Sequence, residues 1–154
     1  MNQHIKVREI EEMQLIAISV TGFDKVADGY EKLVNWSASK GLLKLTETKM
    51  VTIYHDSARD TPHNKVRISA CITAGKEVAV TGDFKSINFK PIRCIVASME
   101  IGMSEFEKAW KSLFTWMQEH GHQKAAEDPF EIYHNNYQEH PQKKCIVDLC
   151  IPIE

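Results

Sequence analysis

Glu131 and Tyr133 are the residues of this sequence whose types and spacing point most directly to binding or reactive chemistry. They lie in the stretch PFEIYHNN, residues 129–136, which is typical of a short strand that ends at an Asn pair. Side chains alternate across a strand, so Glu131 and Tyr133 share one face while Phe130 and Ile132 occupy the other. The face with Glu131 is either ordinary wetted surface or the wall of a cavity that holds one negative charge.

A carboxylate beside an aromatic ring can act on a small molecule in two ways. With a flat cationic ligand, charge pairing adds to cation–π attraction, which is worth roughly 0.5–2 kcal/mol per ring. With an electrophilic substrate, a Glu and a Tyr on one strand face can act as general acid and base. We expect binding rather than catalysis, and Glu131 and Tyr133 are the candidate catalytic residues only if the protein is an enzyme.

The strand that carries these residues belongs to an internal repeat. Residues 52–73 and the segment 79 positions later are identical at seven of 22 pairs, where roughly one or two identities are expected by chance. Tyr54 aligns with Tyr133, whereas Thr52 stands where the later segment has Glu131. The duplication therefore kept the tyrosine and made the acid unique.

A second alignment, shifted by 80 positions, covers a helical segment. Residues 23–41 align with the later segment, and Trp110 takes the place of Tyr30 there. Apolar residues at helical spacing predict one helix in each segment. At the start of the second helix, Ser104 and Glu107 predict a capping box.

Strands are predicted before and after each helix, which gives an α+β fold. The clearest predicted strands are Leu15–Thr21, Val51–His55, Val66–Thr73, Phe130–Asn135 and Cys145–Ile153. Each repeat is then a β-α-β-β unit, and the two cover about residues 1–75 and 76–154. Pockets favour junctions between such units, so we expect the repeats to pack side by side with Tyr54 and Tyr133 facing each other across a ligand cleft.

Composition and charge exclude several classes of protein. The net charge is −2 and no block of Lys or Arg is longer than two residues, which argues against a nucleic-acid binder and a polybasic membrane anchor. No apolar run approaches the length of a membrane span, and the first residues are too polar for a signal peptide, so we expect a cytoplasmic protein. The four cysteines lack CxxC spacing and are expected to be buried free thiols.

No cofactor or metal is expected. The chain has no glycine-rich phosphate loop, so a nucleotide cofactor does not fit it. The pair His120 and His122 comes at a helix end without a framework of further ligands.

Three stretches together resemble a known family. In this order and spacing, GYEKLVNWSASKG, TIYHDSARDTPHNKVRISAC and PFEIYHNN resemble the GyrI-like effector-binding domains. These domains occur alone in the DNA gyrase inhibitory protein and in integron cassette proteins, and are fused to DNA-binding domains in multidrug-responsive regulators. The resemblance covers residues 1–154 as a single domain. It implies two SH2-like β-α-β-β halves in a pseudo-two-fold arrangement with a ligand cleft between them.

The resemblance also assigns residues. It implies that Glu131 is the acid that meets cationic ligands, that Tyr133 lies beside it, and that Tyr54 and Trp110 line the cleft. One position departs from the family pattern, because Ser69 stands where Asp is common.

Three functions remain open at this point. The favoured one is a stand-alone binding module for amphipathic, cationic or aromatic small molecules, acting in drug or toxin sensing or sequestration. The alternatives are a hydrolase of strained electrophilic small molecules that uses Glu131 and Tyr133, and an inhibitor that contacts DNA gyrase. Nothing resembling a helix-turn-helix flanks the domain in this sequence, so we expect no direct contact with nucleic acid and none with a membrane.

Overall fold

The protein is described by a computed structural model, which covers residues 4–44 and 47–154. Its strands are β1 His4–Ile10, β2 Met13–Thr21, β3 Met50–Tyr54, β4 Arg67–Ala74, β5 Phe84–Phe89, β6 Ile92–Gly102, β7 Phe130–Tyr133 and β8 Lys144–Pro152. Its helices are α1 Val26–Ser39 and α2 Phe106–Glu119, with short 3-10 helices at Phe23–Lys25, Met103–Glu105 and Tyr137–Glu139. The predicted α+β class is confirmed.

The chain divides into two compact units, which we call the first unit, Glu11–Pro91, and the second unit, Met1–Ile10 with Ile92–Glu154. These bounds differ from the sequence repeats expected at about 1–75 and 76–154. The difference comes from two strands: β1 pairs with β6 of the second unit, and β5 pairs with β2 of the first. Each therefore joins a sheet that lies on the other side of the expected boundary.

The first unit is an antiparallel sheet in the order β3-β4-β2-β5, with α1 packed on one face. Leu33 of α1 is fully buried against apolar residues of β2 and β4. The helix approaches the sheet closely at Gly29, where an added Cβ atom would lie 2.8 Å from Cγ1 of Val20. A larger side chain at this position would have to displace Val20.

The second unit has the matching order β7-β8-β6-β1, again antiparallel. The predicted apolar stripe of α2 faces this sheet: Leu113 and Met117 are buried, and the aromatic residues of the stripe pack around the same core. In both units the chain runs strand, helix, strand, strand, and the last strand lies between the other two. Each unit thus contains the local order β-α-β-β.

The predicted capping box at Ser104 and Glu107 is wrong. The carboxylate of Glu105 instead accepts a hydrogen bond from the backbone N–H of Gly102, at 3.0 Å. The 3-10 helix Met103–Glu105 starts the helical turn before α2 begins, which moves the capped position two residues towards the N-terminus.

All four cysteines are buried and none forms a disulfide, as expected. Burial raises the pKa of Cys71 and that of Cys94 to about 12, so both stay protonated at neutral pH. Within residues 4–44 and 47–154, no helix has both the length and the apolar character to cross a membrane.

Candidate functional site

Glu131 lies in β7 of the second unit and has 0% of its surface exposed. On the neighbouring strand, Leu149 lies opposite Glu131 and Val147 lies opposite Tyr133. Both belong to the apolar core that α2 covers. The face with Glu131 is therefore not wetted surface, and a carboxylate in such a place needs hydrogen bonds to offset the loss of water.

Two uncharged donors hold the Glu131 carboxylate. The indole N–H of Trp110 donates to Oε2 at 2.7 Å, and the hydroxyl of Tyr133 donates to Oε1 at 2.5 Å. Hydrogen bonds to an ionised acceptor are shorter and stronger than those between neutral groups. Helix α2 supplies the first donor and β7 itself supplies the second, so the local fold brings together three of the four residues predicted for the site.

Aromatic rings surround these hydrogen bonds. The ring of Phe106 lies 6.3 Å from that of Tyr133, and the ring of Phe114 lies 6.0 Å from that of Trp110. All four rings are partly buried against the core of the second unit. The rings exclude water from the carboxylate, which strengthens its hydrogen bonds, and they still present some surface to solvent.

Tyr54, the fourth predicted residue, belongs to the first unit. It ends β3, and its ring lies 6.0 Å from that of Phe23, which in turn packs edge-on against His63 at 5.2 Å. Its role as a lining residue of a cleft stays a prediction.

The first unit holds an uncharged counterpart of the Glu131 site. Thr52, which aligns with Glu131, is 1% exposed. Its hydroxyl is hydrogen-bonded to the hydroxyl of Tyr30 at 2.7 Å, and Tyr30 aligns with Trp110. A side chain of α1 thus meets the buried polar residue of β3, as Trp110 of α2 meets Glu131 of β7.

A second buried acid, Asp148 on β8, was not identified from the sequence. Its carboxylate accepts hydrogen bonds from Arg8 Nη2 at 3.0 Å, Ser98 Oγ at 2.7 Å and His134 Nε2 at 2.8 Å. Burial raises its pKa, but the bonds from His134 and Ser98 and the charge of Arg8 outweigh burial, so the pKa lies below the ordinary 3.8. The repeat alignment did point to this residue. Asp148 aligns with Ser69, the position at which the first repeat has a serine where the family commonly has Asp.

Neither of two surface grooves reaches Glu131. One, of about 690 Å³, lies beside α1 and includes Lys25, Lys32 and Lys85. The other, of about 320 Å³, lies along α2 and includes Lys111 and Trp116. Among the described residues, no group of three or more His, Cys, Asp or Glu side chains is placed to hold a metal ion.

Comparison with known proteins identifies the family of this chain and structures that share its fold. Residues 3–154 match the model of the GyrI-like small molecule binding domain. The C-terminal domain of EcmrR has the same fold, with a TM-score of 0.81 at 18% identity over 100% of this chain and 99% of that one. In its DNA complex, EcmrR matches with a TM-score of 0.85 at 15% identity over 99% of this chain, which spans 57% of the EcmrR chain.

Two further structures share the fold. An integron cassette protein of Vibrio cholerae matches with a TM-score of 0.63 at 13% identity over 100% of both chains. SAV2435, solved bound to tetraphenylphosphonium, matches with a TM-score of 0.64 at 8% identity over 98% of this chain and 94% of that one. A search of curated protein sequences finds no significant match. Since the family model covers nearly its whole length, the chain belongs to the GyrI-like family of small-molecule binding domains.

Proposed function

We propose that this protein binds amphipathic cations that carry aromatic rings, in drug or toxin sensing or sequestration, and that Glu131 is the acid that meets the cation. The observation that carries the proposal is a fully buried carboxylate that accepts hydrogen bonds from Trp110 and Tyr133 and lies among four aromatic rings. Family membership supports small-molecule binding in general. The contacts of Glu131 support the charge and shape of the ligand.

Electrostatics favours a cation at this place. Trp110 and Tyr133 stabilise the carboxylate without neutralising it, since neither donor carries a charge. A positive charge that approaches a carboxylate away from water is attracted more strongly than it would be at the surface. The surrounding rings add cation–π attraction and apolar contact, which a flat or ring-bearing cation can use and a hydrated metal ion cannot.

Aromatic rings must move before a ligand reaches Glu131, because the residue is fully buried in this structure. Tyr133 and Trp110 are partly buried, and they contact both the carboxylate and their neighbouring rings. We therefore expect binding to be accompanied by a change in the environment of Trp110, which tryptophan fluorescence reports.

Tetraphenylphosphonium is a suitable probe, because it combines one positive charge with four phenyl rings and is the molecule bound to SAV2435. Titration calorimetry of wild type and Glu131→Gln tests the proposal. We expect the substitution to weaken binding roughly 10- to 100-fold, which corresponds to the loss of about 1.5–3 kcal/mol for an interaction with a charged group.

Two controls separate charge from packing. Glu100→Gln removes an exposed acid of the same unit, which contacts His140, and should leave the affinity unchanged. Triphenylphosphine oxide offers similar rings without the charge and should bind weakly to both proteins. Equal affinity of wild type and Glu131→Gln for tetraphenylphosphonium, with both proteins folded, contradicts the proposal.

The hydrogen bond between Tyr133 and Glu131 places a phenol and a carboxylate side by side, which favours a second function, hydrolysis of a strained electrophile. There the carboxylate acts as general base towards water and the phenol as general acid towards the leaving group. Turnover of a cyclopropane-bearing electrophile that disappears in both Glu131→Gln and Tyr133→Phe identifies an enzyme. Binding without turnover identifies a binding module.

A further inference from the structure

We propose that Asn135 and the Asp148 cluster, defined as Arg8, Ser98, His134 and Asp148, position β7 so that Tyr133 and Trp110 meet the Glu131 carboxylate. The inference concerns the site of the proposed function and rests on that function for its meaning in ligand binding. Its first test requires no ligand, so the two ideas can fail separately.

Strand β7 is only four residues long, so side chains just beyond its end can add to its pairing with β8. Its ladder with β8 runs from Phe130 to Tyr133, and one further backbone bond joins the N–H of His134 to the carbonyl of Ile146 at 2.8 Å. A shift of one residue would move Glu131 and Tyr133 to the other face of the sheet. Contacts that fix the register of β7 therefore also fix the face of the sheet on which Glu131 lies.

Asn135 extends the ladder with its side chain. Its Nδ2–H donates to the carbonyl of Lys144 at 3.0 Å, and its Oδ1 accepts from the N–H of Ile146 at 2.8 Å. The amide supplies both the donor and the acceptor of this pair, whereas a carboxylate offers no donor and an alkyl group offers neither. The side chain thus holds the chain just past the end of β7 against β8.

Asp148 acts on the opposite face of the sheet. It lies directly across from Ile132, the residue between Glu131 and Tyr133. Its three donors come from three places: β1 supplies Arg8, β6 supplies Ser98, and His134 follows β7. The buried carboxylate therefore ties β7 to the rest of the second unit, immediately behind the site.

The first unit has a simpler version of this arrangement. His55 Nε2 is hydrogen-bonded to Ser69 Oγ at 2.7 Å, and the Oδ2 atom of Asp56 accepts from the N–H of Arg67 at 3.0 Å. In the repeat alignment, His55 corresponds to His134 and Ser69 to Asp148. Asp56 corresponds to Asn135 and Arg67 to Ile146. The unit that carries the buried acid has replaced the serine by a carboxylate that gathers two further donors, and this difference points to a tighter hold on β7.

The test uses the indole N–H resonance of Trp110 in the nitrogen–proton correlation spectrum, because that proton binds Glu131. The chain has three tryptophans, and Trp110→Phe assigns the resonance. We expect His134→Ala to shift or broaden the Trp110 signal and to leave those of Trp36 and Trp116 in place. His134→Gln keeps an N–H donor that can reach Asp148 and should restore most of the wild-type position.

His140→Ala is the matched control. It removes another histidine of the second unit, one that is hydrogen-bonded to the carboxylate of Glu100 at 3.2 Å and not to that of Asp148. Asp148→Ser, which introduces the residue of the first unit, is a second route should His134→Ala not fold. A Trp110 signal that stays in place in His134→Ala, or in Asp148→Ser where the alanine variant is unfolded, overturns the inference.

Ligand binding then separates the inference from the proposed function. We expect His134→Ala to weaken tetraphenylphosphonium binding several-fold and His134→Gln to bind nearly as wild type. If wild type does not bind this cation, the proposed function fails while the Trp110 signal still decides the inference. If Glu131→Gln weakens binding but His134→Ala changes neither the signal nor the affinity, the inference alone fails.

Discussion

The two units build the same hydrogen-bonded frame and differ in its charge. In the first unit, Thr52 meets Tyr30 of α1, and both partners are uncharged hydroxyls. In the second unit, Glu131 takes the place of the threonine and meets Trp110 of α2. In a hydroxyl pair one group donates to the other without any charge, whereas a buried carboxylate needs donors from other groups and can bring a negative charge with it.

On the opposite face of each sheet, a hydroxyl residue of the first unit again corresponds to an acid of the second. Ser69 of the first unit is hydrogen-bonded to His55, while Asp148 in the aligned position binds His134 and also Arg8. The comparison separates two kinds of buried acid. Asp148 accepts hydrogen bonds from the guanidinium of Arg8 and from His134 and Ser98, whereas Glu131 accepts hydrogen bonds from the aromatic side chains of Trp110 and Tyr133. The first unit thus serves as an uncharged reference for the second.

The largest effect is expected from rebuilding the second site as the first. The double variant Glu131→Thr, Trp110→Tyr replaces the charged pair by the hydroxyl pair seen at Tyr30 and Thr52. We expect tetraphenylphosphonium binding to fall by roughly 100-fold or more, because the attraction to a buried charge is lost. Titration calorimetry measures the affinity, and circular dichroism confirms the fold. The single variant Trp110→Tyr should lose much less, and a double variant that binds as wild type would contradict the assigned role of the acid.

The next effect is on stability and concerns the second pair of aligned residues. Asp148→Ala leaves the donors of Arg8, Ser98 and His134 without their common acceptor and should lower the free energy of unfolding by about 2–3 kcal/mol. Ser69→Ala removes one bond and should cost about 1 kcal/mol. Urea unfolding measures both from the midpoint at constant slope. If both substitutions lowered the free energy of unfolding equally, the charge of Asp148 would add no stability over the serine of the first unit.

A pH series sharpens the same comparison. The pKa of Asp148 in the folded protein is lowered from 3.8, so its contribution to stability is fully present above about pH 5 and is lost as the pH falls through the folded value. Asp148→Ser should therefore flatten the loss of stability below about pH 5. Calorimetric melting temperatures across the acid range test this. An unchanged acid slope in Asp148→Ser would contradict it.

The surface pair of Asp56 and Arg67 is the control for that series. Hydrogen bonds from Arg67 lower the pKa of Asp56 to about 2, so it titrates in an overlapping range. Because this pair is exposed, high salt should screen its contribution, whereas the buried Asp148 cluster should be affected less. The part of the acid transition that resists salt and also disappears in Asp148→Ser is therefore assigned to Asp148.

The order of the helices and strands, and the face on which Glu131 lies, were predictable from the local sequence pattern. Helical periodicity and strand alternation gave the β-α-β-β order, and alternation placed Glu131 and Tyr133 on one face. The two edge strands were harder, because β1 is largely polar and exposed and its pairing with β6 joins distant parts of the chain. The Asp148 cluster was missed for a similar reason: Arg8 precedes Asp148 by 140 positions, and no periodicity links them.

The contact between Trp110 and Glu131 could be predicted only in part from the sequence. Helical spacing placed Trp110 on the apolar stripe of α2, and only the family resemblance tied it to the ligand site. The hydrogen bond itself depends on how closely α2 packs on its sheet, which local pattern does not determine. Packing distance is thus a second way in which the two units can differ.

The smallest predicted effect tests that packing distance. Gly29 of α1 aligns with the buried Ala109 of α2, and a Cβ atom at Gly29 would lie 2.8 Å from Val20 Cγ1. Gly29→Ala gains about 1 kcal/mol of helix propensity but forces the branched Val20 to shift at a cost of about 1–3 kcal/mol. We expect a net loss of about 1 kcal/mol in urea unfolding, whereas Ala109→Gly should lose about 1–2 kcal/mol, because it loses helix propensity and a buried methyl group. A stabilised Gly29→Ala would show that α1 can move away from its sheet at little cost, and the close approach would then not explain the glycine.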